Sequence, residues 1–239
     1  MLVINKSKHK NKNNLRIIIL ETQHFKKVVG MKMMFLGEAG IITSFENGGK
    51  IAIDPVSYTI PKERISEECR NLRLILITHE HKEHFDRDLV EYLYSKYRPH
   101  VIAPKQVLLN LSVDSTYKSD VVVGDVFEHD EFEVHVMPAF HPQSKYAVSY
   151  YIKTQNSRLY YAGDTYEIDE LYRLNGDVAF LPIRGMETMG ALQVARISQK
   201  LKFNKIVPIY WSDRKDLVEF MLQTKNKAVK PVEGTWISI

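Results

Sequence analysis

From Met31 onward the chain is a succession of short apolar runs separated by turn residues. Residues 32–36, 40–45 and 50–53 read as a meander of three strands, with Asn47-Gly48-Gly49 as the turn between the last two and Asp54-Pro55 as the stop. The run Leu74-Ile75-Leu76-Ile77 has no polar interruption and reads as a buried strand. A helix is predicted after it, with Asp86 as N-cap, Leu89, Val90, Leu93, Tyr94 and Tyr97 as its apolar stripe, and Arg98-Pro99 as its end. Residues 101–103 follow as a short strand. The middle of the chain is again β-rich, with strands predicted at 121–123, 126–127, 132–137, 147–153 and 159–162 and a turn at Gln155-Asn156-Ser157. Helices are predicted at 167–174, 188–201 and 213–222, separated by buried strands at 178–181 and 206–209. Two β-rich halves, each followed by helices, predict an α+β protein built as a four-layer αββα sandwich. The domain spans residues 31–239. Residues 1–30 read as an appendage, with a strand at 15–20 and a disordered basic tail before it.

Composition narrows this picture. The 239 residues are 44% hydrophobic and 26% charged, the profile of a globular protein. No apolar stretch reaches the roughly 20 residues of a membrane span, and the Lys- and Asn-rich N-terminus lacks the pattern of a secretory signal. The single cysteine, Cys69, has no partner for a disulfide within the chain and reads as a small buried hydrophobe. These features predict a cytoplasmic protein. The net charge of +4 is explained by Lys6, Lys8, Lys10 and Lys12; with those set aside, 29 basic groups face 29 acidic ones. A neutral body offers no field for a phosphate backbone, so neither nucleic acid nor membrane is expected as a partner. A small-molecule substrate is expected, and a homo-oligomer is compatible with the sequence.

The candidate chemistry sits directly after the apolar run, in Thr78-His79-Glu80-His81-Lys82-Glu83-His84-Phe85-Asp86. Nine histidines in the whole chain make three within six positions informative. Imidazole and carboxylate together suit zinc and other first-row divalent ions. Loops at the carboxyl ends of buried strands are where α/β architectures place their chemistry. Two further candidates end strands of the second half: His141 in Pro138-Ala139-Phe140-His141-Pro142, and Asp164 in Ala162-Gly163-Asp164-Thr165. Alone, a loop histidine is more often a surface residue and Gly-Asp a turn. Their weight comes from their order and from their shared position at strand ends.

In this order the pieces resemble the metallo-β-lactamase superfamily: Leu36-Gly37-Glu38-Ala39-Gly40, Asp54-Pro55, the His79–His84 cluster, His141 and Gly163-Asp164-Thr165. Leu181-Pro182-Ile183 with Thr188-Met189, followed by Ile206-Val207-Pro208-Ile209, is similar to the branch holding ascorbate-phosphate lactonase-like and phospholipase D-like hydrolases. The resemblance implies that His79, His81 and His141 bind a first metal. It implies that Glu83 and His84 stand at a second, and that Asp164 bridges the two. The chain departs from the family at three places: Glu83 replaces the cluster's aspartate, Tyr210 replaces a late histidine, and Glu38 stands where many relatives have histidine.

Metal-assisted hydrolysis of a small ester, lactone or phosphoester is the implied activity, with Zn2+ firmly at the first site, a second ion allowed, and Mn2+ or Fe2+ as alternatives. Glu83, Asp164 and Tyr210 are the candidate catalytic residues. Glu83 reads either as a general base for the attacking water or as a tolerated change. Tyr210 reads as a donor to an oxyanion, as a weak ligand, or as a ring filling the space of the lost imidazole. Arg184 reads as an anion contact or as one half of a surface salt bridge. A non-catalytic binding member of the same fold is the alternative supported by the altered second site. A nuclease is disfavoured by the neutral body, and a di-iron redox relative by the presence of His81.

Overall fold

The computed structural model describes residues 30–239; the strand expected at 15–20 lies outside the described residues. The apolar runs form two sheets. The first contains β1 (Lys32–Gly37), β2 (Gly40–Ser44), β3 (Lys50–Ile53), β4 (Leu72–Leu76), β5 (His100–Ala103) and β6 (Lys118–Asp120). The second contains β7 (Val126–His129), β8 (Phe132–Pro138), β9 (Val148–Lys153), β10 (Arg158–Tyr161), β11 (Asn175–Pro182) and β12 (Lys202–Ile209). A last strand, β13 (Trp236–Ser238), returns to the edge of the first sheet beside β1.

Strand direction decides where the site lies. β1, β2 and β3 are successive antiparallel neighbours, and β4 and β5 continue parallel to β3. In the second sheet β8, β9 and β10 alternate, while β11 and β12 run parallel to β10. Thus β1, β3 and β4 end on one rim of their sheet, and β8, β10, β11 and β12 end on one rim of theirs. The two rims are stitched together: Val148 N–H donates to the Thr78 carbonyl at 3.1 Å, and Tyr210 N–H to the Glu38 carbonyl at 2.8 Å.

Both faces of each sheet are buried, which is why several strands read as unbroken apolar runs. Leu74 and Leu76 point between the sheets with Ile53, Val134, Tyr150, Tyr161 and Phe180. Their neighbours Ile75 and Ile77 point the other way, against helices α1 (Lys62–Glu68), α2 (Arg87–Tyr97) and α3 (Lys105–Leu108). The outer face of the second sheet is covered by α4 (Glu170–Arg173), α5 (Ala191–Ser198) and α6 (Arg214–Thr224) through Leu171, Val194, Ile197 and Phe220. The layers are helix, sheet, sheet, helix, as the sequence predicts. Asp86 caps α2 through a 3.1 Å bond from Leu89 N–H, and Asp213 forms a capping box with Asp216 at the start of α6. Cys69 is a free thiol and fully buried, and burial pushes it up to about 12.

Several boundaries differ from the sequence reading. The valines at 121–123 are not a strand: residues 118–120 take the sheet edge beside β5, and the Asp125 carboxylate accepts from Val122 N–H to turn the chain. The helix expected at 167–174 contracts to the single turn of α4. The helix expected at 188–201 starts only at Ala191, because Met189 N–H bonds the Thr165 carbonyl and keeps Thr188-Met189 in the loop beside the site.

Candidate metal centre

Each candidate side chain leaves the end of a strand on the shared rim. The loop after β4 carries His79, His81, Glu83 and His84; His141 follows β8, Asp164 follows β10, and Tyr210 follows β12. Gly163 permits the Asp164 turn. Its φ is +59°, and a Cβ there would lie 2.8 Å from the Thr78 side chain, so only glycine lets the two loops approach this closely.

His79, His81, His141 and Asp164 converge, with one ligand atom from each lying within 4.8 Å of every other. His141 Nε2 is 3.3 Å from His81 Nδ1, and Asp164 Oδ2 is 3.9 Å from both His79 Nε2 and His141 Nε2. A tetrahedral ion with bonds of about 2.0–2.1 Å holds its ligands about 3.3–3.4 Å apart, so the cluster is close to that spacing. The opposite ring nitrogens of His79 and His141 are committed elsewhere. His141 Nδ1–H donates to the Glu187 carbonyl at 3.2 Å. The Thr78 hydroxyl donates to Asp54 Oδ2 at 2.7 Å and therefore accepts from His79 Nδ1–H at 3.0 Å. Such outer bonds fix the tautomer and turn a lone pair inward. Burial, and then the neighbouring rings of His84, His141 and His81, hold His79 well below the usual imidazole value. Burial likewise lowers His141, against the pull of Asp164. Both shifts favour the neutral ring, the form that binds metal.

His79 Nε2, His84 Nε2 and Asp164 Oδ1 are buried without a hydrogen-bond partner. Buried polar atoms are rarely left so, and atoms orphaned in and beside the cluster fit a site that takes a cation. His79 Nε2 belongs to the four-residue cluster. The other two face each other, with His84 Nε2 3.1 Å from Asp164 Oδ1. His84 Nδ1 is held by Asp54 Oδ2 at 2.7 Å. Burial disfavours the charged ring, but the carboxylates of Asp164 and Asp54 outweigh it and raise His84 to about 10.

Glu83 is not drawn into the four-residue cluster. It lines an adjoining cavity of about 470 Å³ together with Glu38, Tyr58, Lys82, Arg184 and Tyr210. Its charge is felt there: burial, then Asp86, Glu83 and Glu38, raise the Tyr58 phenol. Tyr210 is buried at the end of β12, its ring edge-on to His84 with centroids 5.4 Å apart. Its hydroxyl accepts a hydrogen bond from Arg184 Nη1, and the guanidinium carbon lies 4.7 Å from its ring centroid. Among the described residues, Arg184 forms no ion pair. His100, His129 and His135, which match no motif, lie outside the cluster.

Asp54 is the residue of this centre that the sequence did not mark as a site residue. It is fully buried and accepts from Thr78 N–H, the Thr78 hydroxyl and His84 Nδ1–H, each at 2.7 Å. The Tyr161 hydroxyl, which donates to the Ala39 carbonyl at 2.6 Å, lies 3.1 Å from Asp54 Oδ2. Its signals in the sequence are an aspartate ending an otherwise apolar strand and its place in the Asp54-Pro55 piece of the family resemblance.

Residues 32–210 match the beta-lactamase superfamily domain. A UPF0173 metal-dependent hydrolase of Pyrococcus horikoshii is 31% identical over 197 residues, covering 76% of this chain and 85% of that protein. A second, from Bacillus cereus, is 27% identical and covers 85% and 97%. Among solved structures, a metallo hydrolase of Ignicoccus hospitalis superposes with a TM-score of 0.73 at 20% identity, covering 87% of this chain and 99% of its own.

Proposed function

The chain belongs to the β-lactamase superfamily, among its UPF0173 metal-dependent hydrolases, and from that premise we propose that it cleaves a small ester, lactone or phosphoester at one zinc ion held by His79, His81, His141 and Asp164. The observation that carries the reading is the convergence of three imidazoles and a carboxylate within 4.8 Å of one another, with His79 and His141 locked by outer hydrogen bonds. Three nitrogens and one oxygen within 4.8 Å of one another suit zinc, with Mn2+ and Fe2+ as the alternatives the donors also accept. A divalent ion bound there lowers the pKa of water toward neutrality and polarises the oxygen under attack.

The chain's own groups supply the rest. Glu83, half-buried at the cavity wall, takes the proton of the attacking water as its oxygen bonds to the carbonyl carbon or phosphorus. The Tyr210 hydroxyl accepts from Arg184, so its own hydrogen is available to the charge that develops on the substrate oxygen. As the bond to the leaving oxygen breaks, Glu83 returns the proton to it. A cavity of about 470 Å³ suits a small molecule. No described helix is long and apolar enough to cross a membrane.

The test is reconstitution. Protein stripped by a chelator, then loaded with zinc, manganese or ferrous iron, is assayed against chromogenic carboxylic esters, lactones and bis-p-nitrophenyl phosphate. Hydrolysis that disappears on stripping and returns with one of the ions is expected. Hydrolysis indifferent to the chelator, or none with any ion, would overturn the reading.

A further inference from the structure

The three departures of this chain from the family pattern, Glu38, Glu83 and Tyr210, are far apart in sequence yet line one cavity, and Arg184 lines it with them. Independent drift at a decayed second site gives no reason for a fourth residue to be seated among them. Arg184 is seated closely: Nη1 donates to the Tyr210 hydroxyl, and the guanidinium lies over the ring with its carbon 4.7 Å from the centroid. The backbone enforces the pairing. β11 and β12 are parallel with Pro182 beside Ile209, and Ile183 N–H then bonds the carbonyls of Ile209 at 3.0 Å and Tyr210 at 3.2 Å. Residues 184 and 210 therefore leave adjacent strands side by side.

We propose that Arg184 is the resident cation of the second site: its guanidinium, seated on Tyr210, takes the place of a second metal, so that the chain binds one ion. This rests on the four-residue cluster being the first metal site. The remaining donors agree. Only His84 Nε2 and Asp164 Oδ1 face the second position, 3.1 Å apart, while Glu83 stays in the cavity wall. The Tyr210 oxygen, which would have to be the next ligand, already accepts from a cation. A divalent ion at that position would meet a fixed positive charge in a partly buried setting, where repulsion is weakly screened. Glu38 and Glu83 line the same cavity as the guanidinium and make no ion pair with it. Arginine stays charged at any working pH and keeps further N–H groups for the substrate oxygen, so it delivers the electrostatic part of a second metal's role.

The experiment counts metal per chain by mass spectrometry after zinc saturation and desalting, with circular dichroism to certify folding. The parent should hold one zinc. Tyr210→His should also hold one, because Arg184 remains. Tyr210→His combined with Arg184→Gln should hold two, and Tyr210→His combined with Arg184→Lys one. Two tight ions in the parent, or two in Tyr210→His with Arg184 intact, would overturn the proposal, as would a folded Tyr210→His/Arg184→Gln protein that stays at one. The parent count keeps the test decisive if the double variant fails to fold. A parent that binds no zinc at all would instead remove the metal reading on which the proposal stands.

Discussion

Asp54→Asn removes a single charge from the most enclosed part of the centre and leaves its shape almost unchanged. The residue has φ +46°, and asparagine tolerates that left-handed backbone better than most replacements, so the effect is confined to the carboxylate. In the parent, Oδ1 accepts from Thr78 N–H, and Oδ2 accepts from the Thr78 hydroxyl and His84 Nδ1–H, all at 2.7 Å. An amide offers one oxygen. If that oxygen faces Thr78 N–H, the NH2 confronts two donors; if it turns to them, the NH2 confronts a backbone N–H. Either way at least one buried donor is left unsatisfied, at about 1–3 kcal/mol. The charge that supported His84 is lost as well, and breaking a buried ionic pair costs roughly 3–5 kcal/mol. Taking about 3–5 kcal/mol as the whole, at roughly 2–4 °C per kcal/mol for a domain of this size, the melting temperature falls by about 6–20 °C. The assay is thermal unfolding of metal-stripped parent and variant by circular dichroism at neutral pH. A variant melting within about 2 °C of the parent would show that Asp54 does not organise this loop.

Three other outcomes follow from the same geometry. In metal-stripped protein His84 is raised from 6.5 to about 10, so its contribution is complete below about pH 6.5 and is lost as pH rises through 10; melting temperature should fall from pH 7 to 10, and His84→Asn should flatten that slope. Tyr210→Phe should lower turnover on a responsive substrate by about 10²–10³ while zinc content stays that of the parent, and unchanged turnover would reduce the phenol to a space-filling ring. Gly163→Ala should lower both stability and zinc affinity, because φ +59° is strained for alanine and its Cβ would press on Thr78 at 2.8 Å; equal zinc titrations for variant and parent would contradict this.

Much of the centre was legible because metal chemistry writes itself in residue types. Three histidines after an apolar strand, and His141 and Asp164 at later strand ends, needed only parallel strand direction to be brought to one rim. Asp54, Thr78 and Tyr161 were not legible as a unit: Asp54 and Thr78 stand in quoted segments, but their bonds join positions 24 and more residues apart and no spacing announces the contact. Glu83 shows the limit of spacing as evidence. It sits one residue from His84, yet its carboxylate goes to the cavity wall and His84 goes to Asp54 and Asp164. The fold was legible where apolar runs were long. It failed at α1, where Ile65 and Ser66 are the only buried residues and no stripe stands out, and at the three-residue strand β13. At 121–123 strand propensity was real, but the sheet edge was already filled by its neighbour.

The proposed zinc belongs to His79, His81, His141 and Asp164, not to His84 with Glu83 or Tyr210. Anomalous diffraction at the zinc edge from crystals of zinc-loaded protein tests it directly. One strong peak about 2.0–2.2 Å from a nitrogen of each of His79, His81 and His141 and from an oxygen of Asp164 is the result expected. A principal peak ligated by His84 with Glu83 or Tyr210, or no peak among the four, would contradict it.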